Sequence, residues 1–211
     1  SLRIRMPAPV HPILVTRGLP VRFGGHVAVN SVSCKFHPGT LTAIVGPNGA
    51  GKTTYFNRLS GQLRCSAGQV LLYGSDITGD SAPVRTRKGM GRAFQLTNLF
   101  PFLTVLENVR LAVQASARPG RTLVSMLTAH TELIEKAEHF LSRVGLSERR
   151  AALASALSHG DQRKLEVGML LALEPDIFMF DEPTAGMSVD EVPVILDLIQ
   201  EIKNQKDKTI L

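Results

Sequence analysis

Strand-type and helix-type hydrophobic patterns divide this chain into three stretches. The first is rich in short apolar runs. Residues 13–16 and 27–29 read as strands of an antiparallel sheet, with Gly24-Gly25 as the turn before the second, and 31–36 reads as another strand. His37-Pro38-Gly39 turns the chain into a further strand, Leu41-Thr42-Ala43-Ile44-Val45. From Thr53 to Ser60 the pattern is helical, and Gly61 closes it. Residues 70–73 form a strand ending at Gly74, and 76–91 are polar and glycine-bearing.

The second stretch is helical. Residues 93–102 are too apolar for a free loop, and Thr104 with Glu107 has the spacing of a capping box, which starts a helix at Val105. A Pro/Gly/Arg linker covers 116–122. Leu123, Met126, Leu127, His130, Leu133, Ile134, Ala137, Phe140, Leu141 and Val144 then recur every three or four positions, which predicts one long amphipathic helix stopped at Gly145. His130 falls on that stripe and reads as a packed or half-buried histidine, since no second ligand is spaced to help it bind a metal. Helices over 104–164 with α/β patterns on both sides point to a helical sub-domain inserted in an α/β core.

In the third stretch, residues 157–162 open a helix from Arg163 to Leu173 that Ser158 can cap and whose N-terminal amides Gly160 keeps accessible. Ile177-Phe178-Met179-Phe180 is continuously apolar, as a central parallel strand buried on both faces should be. Ser188 and Glu191 form a second capping box. Ile195, Leu198, Ile199 and Ile202 make the buried stripe of a helix ending near Asn204, and Lys208-Thr209-Ile210-Leu211 begins one more core strand.

Chemistry concentrates at two places in this pattern. Gly46-Pro47-Asn48-Gly49-Ala50-Gly51-Lys52-Thr53-Thr54 fits the phosphate-binding loop G-x-x-x-x-G-K-[ST] at every fixed position, between a strand and a helix as that motif requires. Its glycines let backbone N–H groups turn towards phosphate oxygens, and the new helix points its positive end at the same anion. Lys52 is placed to reach the β- and γ-phosphates, and the Thr53 hydroxyl to ligate Mg²⁺. Asp181 and Glu182 follow the buried strand, at the end where open α/β sheets hold ligands. Asp181 is placed to hold Mg²⁺ across from Thr53, and Glu182 to orient or deprotonate an attacking water. Phe23 precedes the Gly24-Gly25 turn; composition alone favours local packing for it over stacking on a base.

Composition adds limits. The chain has 211 residues, 44% hydrophobic and 20% charged, enough for one large domain or a core with a sub-domain. No apolar run approaches bilayer length. Residues 1–10 read as a loose leader without the apolar core and cleavage site of a secretory signal. Cys34 and Cys65 are too few for a disulfide framework and lack metal spacing, which fits a reduced cytosolic setting. The net charge of +6 in part suits nucleotide phosphates, and the rest is compatible with an anionic membrane surface, nucleic acid or, equally, a generally basic soluble surface. The densest basic cluster, Arg85-Thr86-Arg87-Lys88, has no interleaved aromatics, so no nucleic-acid partner is expected.

With these elements in order, residues 14–211 resemble the ATP-binding subunit of an ABC transporter. The resemblance implies a P-loop NTPase (RecA-like) α/β core with an antiparallel β part and an inserted α-helical sub-domain. It makes 1–211 a single ATPase domain, with the nucleotide-binding core at 11–94 and 165–211 and the helical sub-domain at 95–164. It implies ATP and Mg²⁺ as cofactors. Gln95 matches the Q-loop glutamine, which contacts Mg²⁺ and the attacking water. Ser158 and Gly160 match the signature motif, Asp181 and Glu182 the second nucleotide motif and the catalytic glutamate. Phe23, 23 positions before Gly46, stands where the family keeps its base-stacking aromatic. The family works as two such domains, identical or different, met head to tail, with Ser158 of one reaching the γ-phosphate held by Lys52 of the other. It docks on transmembrane permease subunits, near Phe100-Pro101-Phe102 here, at the inner face of the cell membrane.

Three departures qualify the resemblance. The usual LSGGQ is Leu157-Ser158-His159-Gly160-Asp161, and the usual S-A-L-D is Ala185-Gly186-Met187-Ser188. The switch histidine would follow Leu211 by a few residues, so either the sequence is a piece of a longer chain or its hydrolysis is impaired. Arg22-Phe23-Gly24-Gly25, Ala28-Val29, the signature variant, Leu165-Glu166 and Ala185-Gly186-Met187 resemble branched-chain amino acid importers and the similar urea importers. An exporter-type ATPase, for a lipid for instance, shares every nucleotide residue. A soluble ABC protein acting on DNA or the ribosome would bring a second ATPase unit or a coiled-coil insert.

Overall fold

The computed structural model describes residues 11–21, 30–47, 49–93, 99–117 and 126–211. Strand β1 (Leu14–Val21) lies between β2 (Asn30–Phe36) and β3 (Gln69–Leu72), and β4 (Ser75–Asp76) completes an antiparallel sheet in the order β2-β1-β3-β4. The β1–β2 register shifts between Thr16 and Leu19, and Gly18 takes φ 59° there, a conformation that glycine adopts without a Cβ penalty. A second, parallel sheet runs β5 (Met90–Ala93), β6 (Ile177–Phe180), β7 (Thr209–Ile210).

The segment that leads into the phosphate loop joins this parallel sheet beyond β7. Leu41 bridges Ile210 in parallel, Thr42 N–H donates to the Ile210 carbonyl at 2.9 Å, and Ile210 N–H donates to Thr40 at 2.8 Å. The strand predicted at 41–45 is therefore only a bridge at its start. The parallel ladder recorded there runs through Thr42.

Helix α1 (Lys52–Ser60) follows the loop, capped at its far end by Gly61 with φ 80°. Six residues of α2 (Ala82–Arg87) lie inside the stretch read only as polar and glycine-bearing. Then come α3 (Val105–Ser116), α4 (Met126–Arg143), α5 (His159–Ala172) and α6 (Val192–Asn204). The capping box on α3 is complete: Glu107 N–H donates to Thr104 Oγ1 at 3.1 Å, and Thr104 N–H to Glu107 Oε2 at 2.9 Å. The second box forms only in part. Ser188 N–H and Oγ–H donate to Glu191 Oε2 at 3.1 and 3.0 Å, yet α6 starts one residue past Glu191, with Pro193 in its first turn.

The alternation along β6 organises the core. Ile177 and Met179 face Tyr55, Phe56 and Leu59 of α1 and the antiparallel sheet, while Phe178 and Phe180 face α3 to α6. All four are buried, as a central parallel strand demands. On α4 and just past it Leu133, Ala137, Phe140, Leu141 and Val144 of the stripe pack into this core. His130 precedes that contact and is exposed, contrary to the half-buried position its spacing suggested.

Candidate functional site

The phosphate loop owes its shape to positive φ angles, 80° at Gly49 and 81° at Gly51, which cost a side-chain-bearing residue about 1–2 kcal/mol each. Gly51 is the N-cap of α1, and its carbonyl accepts from Tyr55 N–H at 2.9 Å. The start of α1 has neither a side-chain cap nor an acid in its first turn, so its leading N–H groups keep their donors for an incoming anion. Space around the loop agrees with this, because a Cβ built on Gly49 meets nothing within 4 Å. The Lys52 ammonium curls back to donate to the Gly46 and Pro47 carbonyls at 2.5 and 3.2 Å, which pins it over the loop. Thr53 is exposed and its hydroxyl makes no hydrogen bond among the described residues.

The bridge at Leu41 and strands β5 to β7 all run parallel, so the phosphate loop and the residues after Phe180 leave the same edge of the sheet. Asp181 is 9% exposed there, and its Oδ2 accepts from Arg92 Nη2 at 2.9 Å. Glu182 has φ 52° and is exposed, held in a turn where Ala185 N–H donates to its carbonyl at 3.0 Å. A left-handed conformation at a non-glycine residue stores strain.

Arg92 was invisible to motif reasoning. Its Nη1 donates to Asn57 Oδ1 at 2.8 Å, Ser60 Oγ at 2.9 Å and Gln62 Oε1 at 3.2 Å, so one side chain joins the Asp181 carboxylate to α1. Burial pushes the Arg92 guanidinium below its ordinary range, and Asp181 opposes that shift. The available signal was a cation inside the otherwise apolar Met90-Gly91-Arg92-Ala93, since a charge in a buried strand must be paired.

Ser158 caps α5, its Oγ accepting from Asp161 N–H at 3.1 Å, and it is exposed. Gly160 lies directly under the Glu191 carboxylate, which a Cβ there would push aside. Lys164 ties this corner together, 3.0 Å from Asp161 and 3.8 Å from Glu191. Two of the three departures, the signature variant and the stretch after Glu182, meet here, with His159 lying against Gly186. Among the described residues no hydrogen bond or ion pair links this corner to the phosphate loop. The base-stacking, loop and Q-loop candidates Phe23, Asn48 and Gln95 lie outside the described residues.

Oxygen donors of the kind Mg²⁺ takes are present in the Thr53 hydroxyl at the start of α1 and the Asp181 carboxylate tied to α1 through Arg92, and no cluster of three or more His, Cys, Asp or Glu forms among the described residues. That donor set fits a cation delivered with nucleotide phosphates better than a dedicated protein cage.

A family model described as ABC transporter matches residues 29–185. The chain is 38% identical over 205 residues to the high-affinity branched-chain amino acid transport ATP-binding protein LivG of Escherichia coli K12, covering 95% of this chain and 80% of that protein. It is 36% identical, with the same coverage, to the corresponding protein BraF of Pseudomonas aeruginosa. Among solved structures, the ADP conformation of MJ1267, an ATP-binding cassette of an ABC transporter, superposes with a TM-score of 0.74 at 30% identity, covering 94% of this chain and 80% of that one. A dimeric post-hydrolysis state of the cassette MJ0796, bound to ADP and phosphate, gives 0.78 at 25% identity, covering 93% and 85%. The phosphate loop, the acidic pair and these matches place the chain in the ABC transporter family, as one of its ATP-binding cassettes.

Proposed function

We propose that this cassette binds and hydrolyses Mg-ATP to drive the import of branched-chain amino acids through a membrane permease. The observation that carries the reading is the shared sheet edge: an uncapped helix start with Lys52 and Thr53, and Asp181-Glu182 leaving β6 beside it. Backbone N–H groups of 46–53 and the Lys52 ammonium hold the β- and γ-phosphates. Thr53 and Asp181, with Gln95, would hold Mg²⁺, which when bound supplies charge neutralisation to the phosphate oxygens. Glu182 accepts a proton from the attacking water. The new bond forms between that water's oxygen and the γ-phosphorus, and the bond to the β–γ bridging oxygen breaks, leaving ADP and phosphate. Phe23 stacks on the base.

Head-to-tail pairing of two cassettes brings Ser158 and the Gly160 amide of one copy to the γ-phosphate held by the other. ATP then stabilises the closed pair because it contacts both halves only in that state. That the similar cassette MJ0796 is dimeric with ADP and phosphate bound supports the pairing of two cassettes. Phe102 at 85% exposure, Phe100 at 49% and Leu153 at 46% form an apolar corner, clasped by Ser155 N–H donating to Pro101 and Ala154 N–H to Leu103. This corner receives the permease, which holds the cassette at the inner face of the membrane. No helix among the described residues is long and apolar enough to cross a membrane itself.

The cargo assignment rests on the similarity to LivG and BraF. Reconstitution of the cassette with its permease subunits in liposomes tests it. ATP on the cassette side should drive uptake of labelled leucine, isoleucine or valine, and Lys52→Ala should abolish that uptake. ATP-driven uptake confined to urea, or transport in the opposite direction, contradicts the assignment.

A further inference from the structure

Arg92 holds two parts of the site in register, and its contacts are unequal. Towards α1 and the turn that follows it, it has three hydrogen-bond acceptors, Asn57 and Ser60 on the helix and Gln62 just past its cap, and its guanidinium carbon lies 5.4 Å from the Phe56 ring centroid, within cation–π range. Towards β6 it has one, Asp181 Oδ2. The arginine side chain is 5% exposed, and these partners engage both Nη atoms of a charge that burial would otherwise disfavour strongly, while Nε is buried without a partner among the described residues. The guanidinium is therefore fixed to the helix that carries Lys52 and Thr53, and it offers the carboxylate a single N–H. Asp181 Oδ1 accepts no hydrogen bond among the described residues.

We propose that Arg92 is a positioning residue for the nucleotide's divalent cation: it occupies Asp181 Oδ2, leaves Oδ1 as the metal-facing oxygen, and locks that oxygen in register with the phosphate-loop helix. This rests on the Mg-ATP reading above. Two effects of the arginine oppose each other. Its charge repels a nearby cation, whereas its geometry fixes the cation's ligand. A change that keeps the charge and loses the geometry separates them. Arg92→Lys does so, because the α1 acceptors and Asp181 sit on different arms of the planar guanidinium, and one ammonium cannot serve both.

The test is a Mg²⁺ titration of binding of a fluorescent ATP analogue, with a metal-free arm in EDTA. Mn²⁺ bound in the presence of the analogue is counted in parallel by electron paramagnetic resonance. Arg92→Lys should raise the Mg²⁺ midpoint and weaken Mn²⁺ binding by about tenfold, the usual scale for losing a partner of a metal ligand, while metal-free affinity stays within about twofold. Asn57→Ala, which loosens only the α1 side, should shift the midpoint the same way by less. If Arg92→Lys does not fold, Asn57→Ala carries the test. A midpoint unchanged or lowered in Arg92→Lys overturns the proposal, as does a loss of metal-free binding equal to the loss with metal. Wild-type protein that shows no Mg²⁺-dependent nucleotide binding overturns the underlying reading instead.

Discussion

Replacing Arg85 by methionine should cost about 2 kcal/mol of stability, although the residue belongs to a cluster that looks like solvated surface. Arg85 is 1% exposed. Its Nη1 donates to the Arg58 and Leu59 carbonyls, both at 2.7 Å, Nη2 to Thr78 at 2.9 Å and Nε to Asp80 at 3.1 Å. The side chain thus closes the negative end of α1 and ties it to the loop before α2. Methionine keeps most of the stem and none of the donors. The Leu59 carbonyl loses its side-chain donor and stands to cost about 1–3 kcal/mol as a buried orphan. The Arg58 carbonyl keeps a bond from Gly61 N–H at 3.4 Å and loses less. Thr78 and Asp80 are half-exposed and can turn to water. Losing the buried charge itself returns part of the sum, because burial disfavours the charged guanidinium. Equilibrium urea denaturation followed by far-ultraviolet circular dichroism gives the difference directly, and the melting temperature should fall by roughly 4–8 °C for a domain of this size. Arg85→Lys should lie between, since an ammonium can reach some of the carbonyls. An Arg85→Met protein within about 0.5 kcal/mol of wild type would refute the reasoning and mean that water replaces the guanidinium at no cost.

Other perturbations separate stability from function. Gly49→Ala meets no neighbour, so it should cost only about 1 kcal/mol of backbone strain yet weaken ATP binding at least about tenfold, measured by calorimetric titration. Phe102→Asp, at an 85% exposed position, should leave the melting temperature and ATP affinity unchanged while releasing the cassette from its permease in a pull-down of the complex. Burial raises the Glu166 carboxyl above its usual 4.5, and Arg163 only partly offsets this. The folded state therefore binds that proton more tightly than the unfolded chain does. Ionising Glu166 costs stability in full above the raised value and nothing below about 4.5. Glu166→Gln should thus raise the melting temperature at pH 7 to 8, with the gain fading as pH falls towards 4.5.

The phosphate loop and the acidic pair were legible in the sequence because their chemistry sits in contiguous residues whose flanking patterns are unambiguous. The four buried side chains of β6 and the capping box at Thr104 were legible for the same reason. Long-range pairing was not. Arg92 meets its partners 35 and 89 positions away, and Arg85 reaches a helix 27 positions back, so neither charge announces in local pattern that it is buried. Periodicity put His130 on the apolar stripe, but its side chain is exposed while Leu133, Ala137, Phe140, Leu141 and Val144 of the same stripe pack. Residues 41–45 have strand composition, and the ladder they enter is recorded as far as Thr42. Six residues of α2 are too few for a helical period to show.

The central claim is that one copy's lysine and amides hold a terminal phosphate that Glu182 acts on and a second copy completes. Sedimentation equilibrium of Glu182→Gln with saturating Mg-ATP tests it most directly. The account predicts a dimer that returns to monomer when Lys52→Ala is added in the same chain. A Glu182→Gln protein that stays monomeric with Mg-ATP bound, or a dimer indifferent to Lys52, contradicts it.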